Sequence, residues 1–501
     1  MQLTTKLLDL FGGIFLCLNS QTIQALGIEK EQHLSLTIEE HRSLSFPYVG
    51  TDSLVGPGEI GIPVEIAKRV PIQDGDLVQI SAPKRAITSE HVIKKKMRGD
   101  TFSKEEIDNV IKDLMDGRLS ELYMAAFVLT QLFTSLSMEE IEYLTRALAE
   151  SGDIIEFPVP IYDKHSLGGV PGTKISLLIV PIIAAAGLAI PKTSTRAVTS
   201  AAGTADVMNI LAPVEFKADE LKEIVMDTKG AIVWTGGKLN LSPAVDKIIA
   251  DVAFPLGVDP LPLIMSGIMA KKVAVGVDFV VLDVPVGGGK VHTMESAREY
   301  SRAFVQLAER LNIRLEAALT YGKVPVGHSI GPALEAREAL YALMGQGPTS
   351  LAEKSINLAG IIFEIAGLTW RGRGADMARE LLESGKAYEK MKEIIEAQGG
   401  NPAIQPNDIP IGNYCFEWEA PTNGWVVEIS NEALTQIARV AGAPKDPGAG
   451  VYLPKKKESV TKGDIILQIY SNSESKLSEA QALVAKLEPL RVEGILIDHI
   501  R

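Results

Sequence analysis

The stretch Asp163-Lys-His-Ser-Leu-Gly-Gly-Val-Pro-Gly-Thr-Lys174 is the part of the sequence that decides how the fold is interpreted. It combines two lysines, two hydroxyl groups and three glycines, and a charge-free apolar run over 175–191 follows it. Such a loop can present bare backbone N–H groups and a helix N-terminus to an anion. The standard nucleotide-loop patterns do not fit it, so an ordinary turn is the competing interpretation.

The apolar run has 17 residues, fewer than the roughly 20 that span a bilayer, and therefore predicts a buried helix. The next stretch, 192–206, repeats the chemistry of the first, with Arg196 among the hydroxyl-bearing residues Thr193, Ser194, Thr195, Thr199, Ser200 and Thr204. Arg196 can bind phosphate bidentately, although a helix start with solvated hydroxyls is the alternative. If the helix lies on a parallel sheet, both loops meet at its carboxyl edge, where ligands bind in open α/β folds.

Apolar runs alternate with helical segments from about 159 to 420, which is typical of a mainly parallel sheet covered on both faces. We expect strands at 232–234, 279–284 and 313–318 and helices at 293–311 and 332–344. Past 421 the pattern becomes α+β, with strands at 425–429 and 464–469, a helix at 433–440 and a lysine-rich turn at 455–457. The central part of the chain is thus predicted to be an α/β domain.

The first 85 residues contain short β-type runs at 14–18, 34–38 and 77–80, which predict a small β-barrel or sandwich. From 89 to 151 the pattern is helical, and capping boxes that begin at Ser103 and Ser137 predict two or three packed helices. The prediction is an α/β chain with α+β appendages. Its domains are 1–86 (β-barrel-like), 87–158 plus about 241–275 (helical), 159–240 plus about 276–420 (α/β, phosphate-binding) and 421–501 (α+β).

The composition excludes several classes of protein. With 501 residues, 46% hydrophobic and 23% charged, the chain is globular, and its net charge of −13 argues against non-specific nucleic-acid binding. Its two cysteines, Cys17 and Cys415, are too far apart in sequence to suggest a disulfide framework, so we expect a cytoplasmic protein. Residues 7–18 imitate a signal segment, but Asp9 and two glycines interrupt it, and we expect a pair of strands and no membrane association there.

Other residues are candidates for the chemistry. Asp259 lies between turn residues ahead of an apolar helix, where desolvation would raise its pKa enough for it to donate a proton; a helix N-cap is the alternative. Ser266 and Lys271 are expected on one helical face, and Lys290 lies in a glycine-rich loop. Of seven histidines only His165 falls in a candidate site, and no metal-ligand spacing is present, so no metal is expected.

Two motifs closely resemble those of the thymidine and pyrimidine-nucleoside phosphorylase family: Lys164-His-Ser-Leu-Gly-Gly169 and Thr195-Arg-Ala-Val-Thr-Ser-Ala-Ala-Gly-Thr-Ala-Asp206. The resemblance continues through 261–264, 270–272, 283–287, 331–338 and 448–456, so it covers nearly the whole chain. The N-terminal extension, with Leu7-Leu-Asp-Leu10, is similar to that of the archaeal-type AMP phosphorylases. The resemblance therefore favours a nucleotide substrate.

What the resemblance implies is phosphorolysis of a nucleoside 5′-monophosphate, in which AMP and phosphate give adenine and ribose 1,5-bisphosphate. Asp259 takes the position of the family's proton donor, and His165 and Arg196 are the other expected catalytic residues. Phosphate is assigned to Lys164, Ser166, Ser194 and Thr204. Substrate binding is assigned to Gly169, Thr195, Arg196, Ala197, Val198, Thr199, Ser200, Thr204, Ser266, Gly267, Lys271 and Lys290.

Two departures concern the base. Where the short pyrimidine enzymes have an arginine before Asp-Val, this chain has Ala250, and their base-contacting serine aligns with Gly267. The pyrimidine-reading pair is therefore missing, although Lys271 remains. A pyrimidine-nucleoside phosphorylase that gives a free pyrimidine and (deoxy)ribose 1-phosphate is the alternative function.

Two alternatives come from other classes: a phosphoribosyltransferase, which normally needs magnesium and an acidic pair to hold it, and a non-catalytic nucleotide-binding assembly. The expected partners are a nucleotide or nucleoside and phosphate, which is a co-substrate and not a cofactor. A homodimer or larger homo-oligomer is expected. In some relatives a potassium ion stabilises the loop that corresponds to Gly327–Ser329, and the sequence leaves open whether one binds here. We expect no other cofactor.

Overall fold

The structure is a computed structural model that describes residues 1–10, 15–28, 34–39, 42–67, 72–81, 86–172, 174–197, 200–454 and 458–494. It divides into two compact units, each built from two segments of the chain. The first unit is Met1–Gly152 with Ser242–Ala270, and the second is Asp153–Leu241 with Lys271–Arg501.

The elements are numbered in chain order. The strands are β1 Gln2–Leu8, β2 Leu16–Leu18, β3 Leu34–Glu39, β4 Arg42–Phe46, β5 Tyr48–Gly50, β6 Glu59–Pro63, β7 Leu77–Ser81, β8 Tyr162–Ser166, β9 Ile190–Ser194, β10 Gly230–Trp234, β11 Phe279–Val286, β12 Arg314–Tyr321, β13 Ser329–Ile330, β14 Tyr414–Glu419, β15 Gly424–Ile429, β16 Gly450–Tyr452, β17 Ser459–Val460, β18 Ile465–Ser471 and β19 Leu490–Glu493. The helices are α1 Ser20–Leu26, α2 Val64–Ala67, α3 Ile87–Met97, α4 Lys104–Met115, α5 Glu121–Phe133, α6 Met138–Ala149, α7 Ile175–Ala185, α8 Thr204–Met208, α9 Ala218–Thr228, α10 Pro243–Ile248, α11 Phe254–Leu256, α12 Leu261–Ala274, α13 Met294–Arg310, α14 Pro332–Leu343, α15 Thr349–Ile365, α16 Gly374–Glu383, α17 Lys386–Ala397, α18 Asn431–Ala441 and α19 Glu474–Leu487.

A seven-stranded mixed sheet begins the first unit, in the order β4-β3-β7-β1-β6-β2-β5. Alternate residues of β7 are buried because successive side chains of a strand point to opposite faces. The strands predicted at 34–38 and 77–80 are confirmed. Within 7–18, β1 and β2 are present but β6 lies between them, so the expectation that they pair with each other is wrong. Residue 14 lies outside the described residues.

Helices form the rest of the first unit. Both capping boxes are present: the Ser103 hydroxyl accepts from the Glu106 backbone N–H, and the Ser137 hydroxyl accepts from that of Glu140. Each box is followed by an apolar stripe at helical spacing, and those residues are buried. The segment forms four helices, α3 to α6, instead of two or three.

A parallel sheet with flanking helices forms the centre of the second unit. Strands β12, β11 and β8 are parallel neighbours, β10 and β9 pair in parallel, and an Ile161–Ala189 bridge connects the two groups. The strands expected near 232, 279 and 313 and the helices expected near 293 and 332 are confirmed. Helix α7 packs against α15 and α17, and its apolar side chains are buried.

The helix predicted over 175–191 is wrong beyond Ala185. Helix α7 has 11 residues, and Gly187 follows it with a φ of 85°, a backbone conformation that favours glycine. Ile190 and Pro191 then begin β9. The apolar run continues across the turn because the helix and the strand are both buried, so hydrophobicity could not mark the boundary.

The C-terminal segment contributes two antiparallel sheets, in the orders β13-β16-β18-β14 and β17-β15-β19. The predicted strands and helix at 425–429, 433–440 and 464–469 are confirmed. Strand β14, which lies before the proposed boundary at 421, pairs with β18 beyond it. The turn at 455–457 lies outside the described residues. Among the helices that the structure describes, none is long and apolar enough to cross a bilayer.

Candidate active site

Two candidate loops begin at the same edge of the parallel sheet. The first follows β8 at Ser166, and the second follows β9 at Ser194. Their strands lie side by side: the Tyr162 backbone N–H donates to the Ala189 carbonyl at 2.9 Å. The expectation that both loops start at the carboxyl edge is therefore confirmed, and this edge is where open α/β sheets place their ligands.

Glycines bring the loop after β8 against the loop after β11. Gly169 has a φ of 102°, and a Cβ built on it would lie 2.4 Å from the Cα of Gly289. The Lys290 N–H donates to the Gly168 carbonyl at 3.5 Å. Only residues without side chains allow two backbones to approach this closely. Gly168 and Gly169 are themselves exposed, so their backbone remains accessible to a ligand.

Asp283 organises the first of two buried charge clusters. Its Oδ2 accepts from the Ser166 hydroxyl at 2.6 Å and from the Lys354 ammonium at 2.9 Å, and its Oδ1 accepts from the Thr320 hydroxyl at 2.5 Å. Burial alone would raise the pKa of Asp283, but the charges of Lys354 and Lys164 outweigh burial and lower it. Asp283 is therefore ionised, and each of its two oxygens accepts a hydrogen bond.

Asp163 organises the second cluster. Its carboxylate forms ion pairs with Lys272 and, at 3.4 Å, with Lys192, and all three side chains are buried. Burial would raise the pKa of Asp163, but the two lysines lower it below its usual range. Burial also lowers the pKa of Lys192 to about 8, although Asp163 opposes this effect.

Lys164 lies between the two clusters and is only 3% exposed. Burial lowers its pKa to about 7, with Asp283 opposing and Lys192 and Lys354 adding to the effect. The pKa of the next residue, His165, is lowered well below its usual value by burial and by nearby lysines, so its imidazole is neutral. Around Asp283 alone, the two lysines Lys354 and Lys164 act against one aspartate, which favours an anion near the carboxyl end of β8.

The loop after β9 is folded around Asp206, whose Oδ2 accepts from the backbone N–H groups of Ala197 at 2.7 Å and Gly203 at 2.9 Å. Arg196 forms ion pairs with Asp206 at 3.4 Å and Glu215 at 3.3 Å. Its guanidinium also lies 4.8 Å from the centre of the Trp234 ring. Arg196 is thus held by two carboxylates and an aromatic face, and it remains partly exposed.

The other residues predicted in this loop are placed as follows. The Ser194 hydroxyl donates to the Thr195 carbonyl and the Ser200 hydroxyl to the Ala202 carbonyl, both at 3.0 Å. Thr204 is buried at the start of α8. Val198 and Thr199 lie outside the described residues.

The two predicted lysines outside these loops differ in exposure. Lys271 donates to the Thr235 hydroxyl at 3.3 Å and is partly buried. Lys290 is exposed in the glycine loop. Both belong to the second unit, as does the whole of the sheet edge.

Three predicted residues belong to the first unit. Asp259 is exposed, so the expectation that its surroundings desolvate it is wrong for the structure as it stands. Ser266 is fully buried and its hydroxyl donates to the Leu263 carbonyl at 3.3 Å. Gly267 lets α12 pack on α10, since a Cβ there would lie 3.0 Å from Val245. The roles of these three residues stay predictions.

Lys174 is the last residue of the motif, but its side chain is bound away from the candidate site. It is fully buried, forms an ion pair with Glu338 at 2.8 Å and donates to the Ser329 carbonyl at 2.6 Å. Its backbone N–H, at the start of α7, donates to Glu335 at 3.1 Å. A carboxylate of the chain therefore holds this one donor at the start of the helix.

Sequence reasoning missed Asp283, Thr320 and Lys354 as parts of the site. A carboxylate inside the apolar run 279–284 was a usable signal, because buried charges in strands need partners. Lys354 lies on α15, far along the chain, and nothing near it in sequence points to the site. A cavity of about 530 Å³, bounded by residues such as Arg337, Tyr341 and Tyr452, contains none of the charged groups of this edge.

Three parts of the chain match known protein families. Residues 159–388 match the glycosyl transferase family a/b domain, 90–152 match the helical bundle domain of the same family, and 425–489 match the pyrimidine nucleoside phosphorylase C-terminal domain. The AMP phosphorylase of Thermococcus kodakarensis is 45% identical over 100% of this chain and 99% of its own length. That of Methanocaldococcus jannaschii is 46% identical over 89% of each.

A solved structure shares the fold. The anthranilate phosphoribosyltransferase of Thermus thermophilus superposes with a TM-score of 0.53 at 22% identity, covering 61% of this chain and 99% of its own. At this identity the likeness concerns the fold alone, so it carries no statement about substrate.

Proposed function

Since this chain belongs to the AMP phosphorylase family, within the glycosyl transferase family that its helical and α/β domains match, we propose that it catalyses phosphorolysis of nucleoside 5′-monophosphates. It is a pentosyltransferase: a ribosyl group moves from a base to inorganic phosphate. With AMP as substrate, the products are adenine and ribose 1,5-bisphosphate.

The observation that carries the proposal is the surplus of buried lysines at the carboxyl edge of the sheet. The charges of Lys354 and Lys164 both act on Asp283, and the exposed backbone of Gly168 and Gly169 lies in the loop that follows the strand of Lys164. A site with more buried cations than anions, beside exposed backbone, suits an anionic nucleophile. A phosphate bound there would neutralise the excess positive charge of these lysines.

In the reaction an oxygen of phosphate attacks C1′, the C1′–N bond breaks, and the base leaves with a proton. We assign phosphate to Lys164, Ser166, Ser194 and Thr204, and the nucleotide to the loop after β9 with Arg196. Asp259 is the proposed proton donor, since the leaving base must be neutralised as the bond breaks. The neutral His165 next to Lys164 can donate or accept a hydrogen bond but brings no charge.

We infer the preferred base from two side chains that pyrimidine enzymes have and this chain lacks. Ala250 and Gly267 stand where the short pyrimidine enzymes have an arginine and a serine, and a buried Gly267 packed on Val245 leaves no side chain to read a base. Recognition of adenine fits this better than recognition of a pyrimidine. A pyrimidine-nucleoside phosphorylase is the second candidate because the C-terminal domain matches that class.

The experiment separates free base from substrate after incubation with AMP, CMP, UMP, adenosine, thymidine or uridine, each with and without inorganic phosphate. We expect release that depends on phosphate and is confined to monophosphates, with AMP best. Release confined to thymidine or uridine would instead establish the second candidate. Release from the nucleotide without phosphate, or binding of AMP without release, would contradict both.

Further proposals rest on the family. Phosphate acts as co-substrate and no organic cofactor is needed; the enzyme is cytoplasmic and forms a homodimer or larger homo-oligomer. In some relatives a potassium ion stabilises the loop that corresponds to Gly327–Ser329. In this chain the Lys174 ammonium donates a hydrogen bond to the Ser329 carbonyl. We therefore propose that this loop is held by the chain's own cation and not by potassium.

A further inference from the structure

The hydroxyl hydrogen of Ser166 is committed to a carboxylate. Ser166 Oγ lies 2.6 Å from Asp283 Oδ2, and an ionised carboxylate only accepts hydrogen bonds, so the serine must be the donor. A hydroxyl has one hydrogen and two lone pairs. What Ser166 has left to offer a ligand is therefore an acceptor.

The surroundings of Asp283 fix this direction. Thr320 donates to its other oxygen at 2.5 Å, and Lys354 donates both to Asp283 at 2.9 Å and to the Thr320 hydroxyl at 3.1 Å. Thr320 is thus a donor to Asp283 and an acceptor from Lys354, which uses its hydrogen and one lone pair. Asp283 is completely buried, and its neighbours β8 and β12 hold it from both sides. The chain Lys354, Thr320, Asp283 and Ser166 has one consistent set of donors and acceptors.

We propose that Asp283, acting through Ser166, selects an anion that carries a proton, so that the site accepts hydrogen phosphate and disfavours sulfate. The inference rests on the proposed function, in which Ser166 contacts the phosphate. Phosphate and arsenate keep at least one proton at neutral pH and can donate it to Ser166, whereas sulfate has none. With sulfate, a lone pair of a sulfate oxygen faces a lone pair of Ser166 Oγ. The two lone pairs repel each other, and this repulsion weakens sulfate binding.

The same hydrogen bond orients the nucleophile. If the single proton of hydrogen phosphate points at Ser166, its three other oxygens are unprotonated and available to the lysines and to C1′. No proton then has to leave the attacking oxygen while the C1′–O bond forms and the C1′–N bond breaks. Asp283 is in this sense a positioning residue, since it acts on the phosphate through Ser166.

The test measures, for the purified full chain, the KM for phosphate in AMP phosphorolysis, the inhibition constant of sulfate against phosphate, and the rate with arsenate in place of phosphate. Replacing a hydrogen bond by two facing acceptors lowers affinity about 10- to 100-fold, so we expect the inhibition constant of sulfate to exceed the KM for phosphate by about that factor. Arsenate is expected to replace phosphate. Equal affinities of sulfate and phosphate for the wild type would overturn the inference.

Two variants change the proposed contact, and one control changes only the charge. In Asp283→Ala no acceptor remains for the hydroxyl hydrogen of Ser166, which can turn toward the anion, so the ratio of the sulfate inhibition constant to the phosphate KM falls toward one. Ser166→Ala removes the serine acceptor and lowers this ratio too. Asp283→Asn is the control: its amide oxygen faces Lys354 and still accepts from Ser166, so the charge is lost but the ratio stays.

The outcomes separate the two proposals. If the wild type releases no base with phosphate, the proposed function fails. If it releases base but Asp283→Ala and Ser166→Ala keep the wild-type ratio, or Asp283→Asn lowers it as much as they do, only the selection by Asp283 fails.

Discussion

At the scale of single residues, Lys164 is the group whose environment is most clearly arranged for a ligand. Burial lowers its pKa to about 7, and the attraction of Asp283 does not restore the usual value because Lys192 and Lys354 repel the charge. Near neutral pH the free site is therefore divided between ammonium and amine. A bound dianion favours the ammonium, so phosphate binding and protonation of Lys164 are coupled.

This coupling predicts proton uptake when phosphate binds. At about pH 8, above its pKa, Lys164 is mostly neutral in the free enzyme, and the anion raises that pKa, so a fraction of a proton is taken up per phosphate. At about pH 6 the ammonium is already formed and no uptake from Lys164 is expected. Titration calorimetry in buffers of different ionisation heat measures this number. Lys164→Met is the control, and equal uptake by that variant at about pH 8 would assign the proton to another group.

At the scale of elements, the loops after β8 and β11 form one unit because glycines face each other across them. Gly169 combines a positive φ with a contact that leaves no room for a side chain, and Gly289, also with positive φ, meets it from the other side. Both positions require glycine, because a Cβ on Gly169 or on Gly289 would push the two loops apart. The loop that presents Gly168 and Gly169 is thus positioned by the strand that carries Asp283.

Gly169→Ala is predicted to lower kcat/KM for phosphorolysis at least about tenfold, since moving this loop displaces the proposed phosphate and nucleotide contacts. Gly463→Ala is the matched control: Gly463 has a φ of 92° but nothing within 4 Å of a built Cβ. It shares the backbone penalty of roughly 1 kcal/mol and should lose only stability. Steady-state kinetics and thermal unfolding of both variants distinguish the effects. Equal activity of the two variants would show that the glycine contact does not position the site.

At the scale of the whole molecule, every residue of the buried charge clusters belongs to the second unit. Lys164, Asp283 and Lys354 come from three distant parts of the chain, and the first unit contributes to neither cluster among the residues that the structure describes. The net charge of the chain is −13, so the attraction for phosphate is local and does not follow from the overall charge.

Phosphate alone is therefore predicted to stabilise the second unit selectively. At a concentration of about 100 Kd, mass action adds roughly 2.7 kcal/mol to the unit that binds the ligand. Hydrogen exchange followed by mass spectrometry should show slower exchange in β8, β11 and the loops after them, with α4 and α6 unchanged. Lys164→Met should abolish the protection. Equal protection of α4 and α6 by phosphate would contradict a site confined to the second unit.

The sequence by itself determined the elements whose signals are local. Capping boxes at Ser103 and Ser137 began helices as predicted, because a cap is a contact between residues three apart. Apolar periodicity placed the central strands, and the motif glycines and lysines indicated the edge of the sheet at which the candidate site lies. Hydrophobicity failed at Gly187, where a buried helix passes into a buried strand without a change of polarity.

Only the tertiary structure decided which charges meet. Two lysines of one motif have different surroundings: Lys164 lies near Asp283 at the candidate site, while Lys174 is bound by Glu338 and the Ser329 carbonyl. Lys354 reaches Asp283 from a helix about seventy residues further along the chain, a pairing that no local pattern encodes. Burial makes such pairing obligatory, since an unpaired charge in the interior is costly, but the partner is chosen by how helices pack on the sheet.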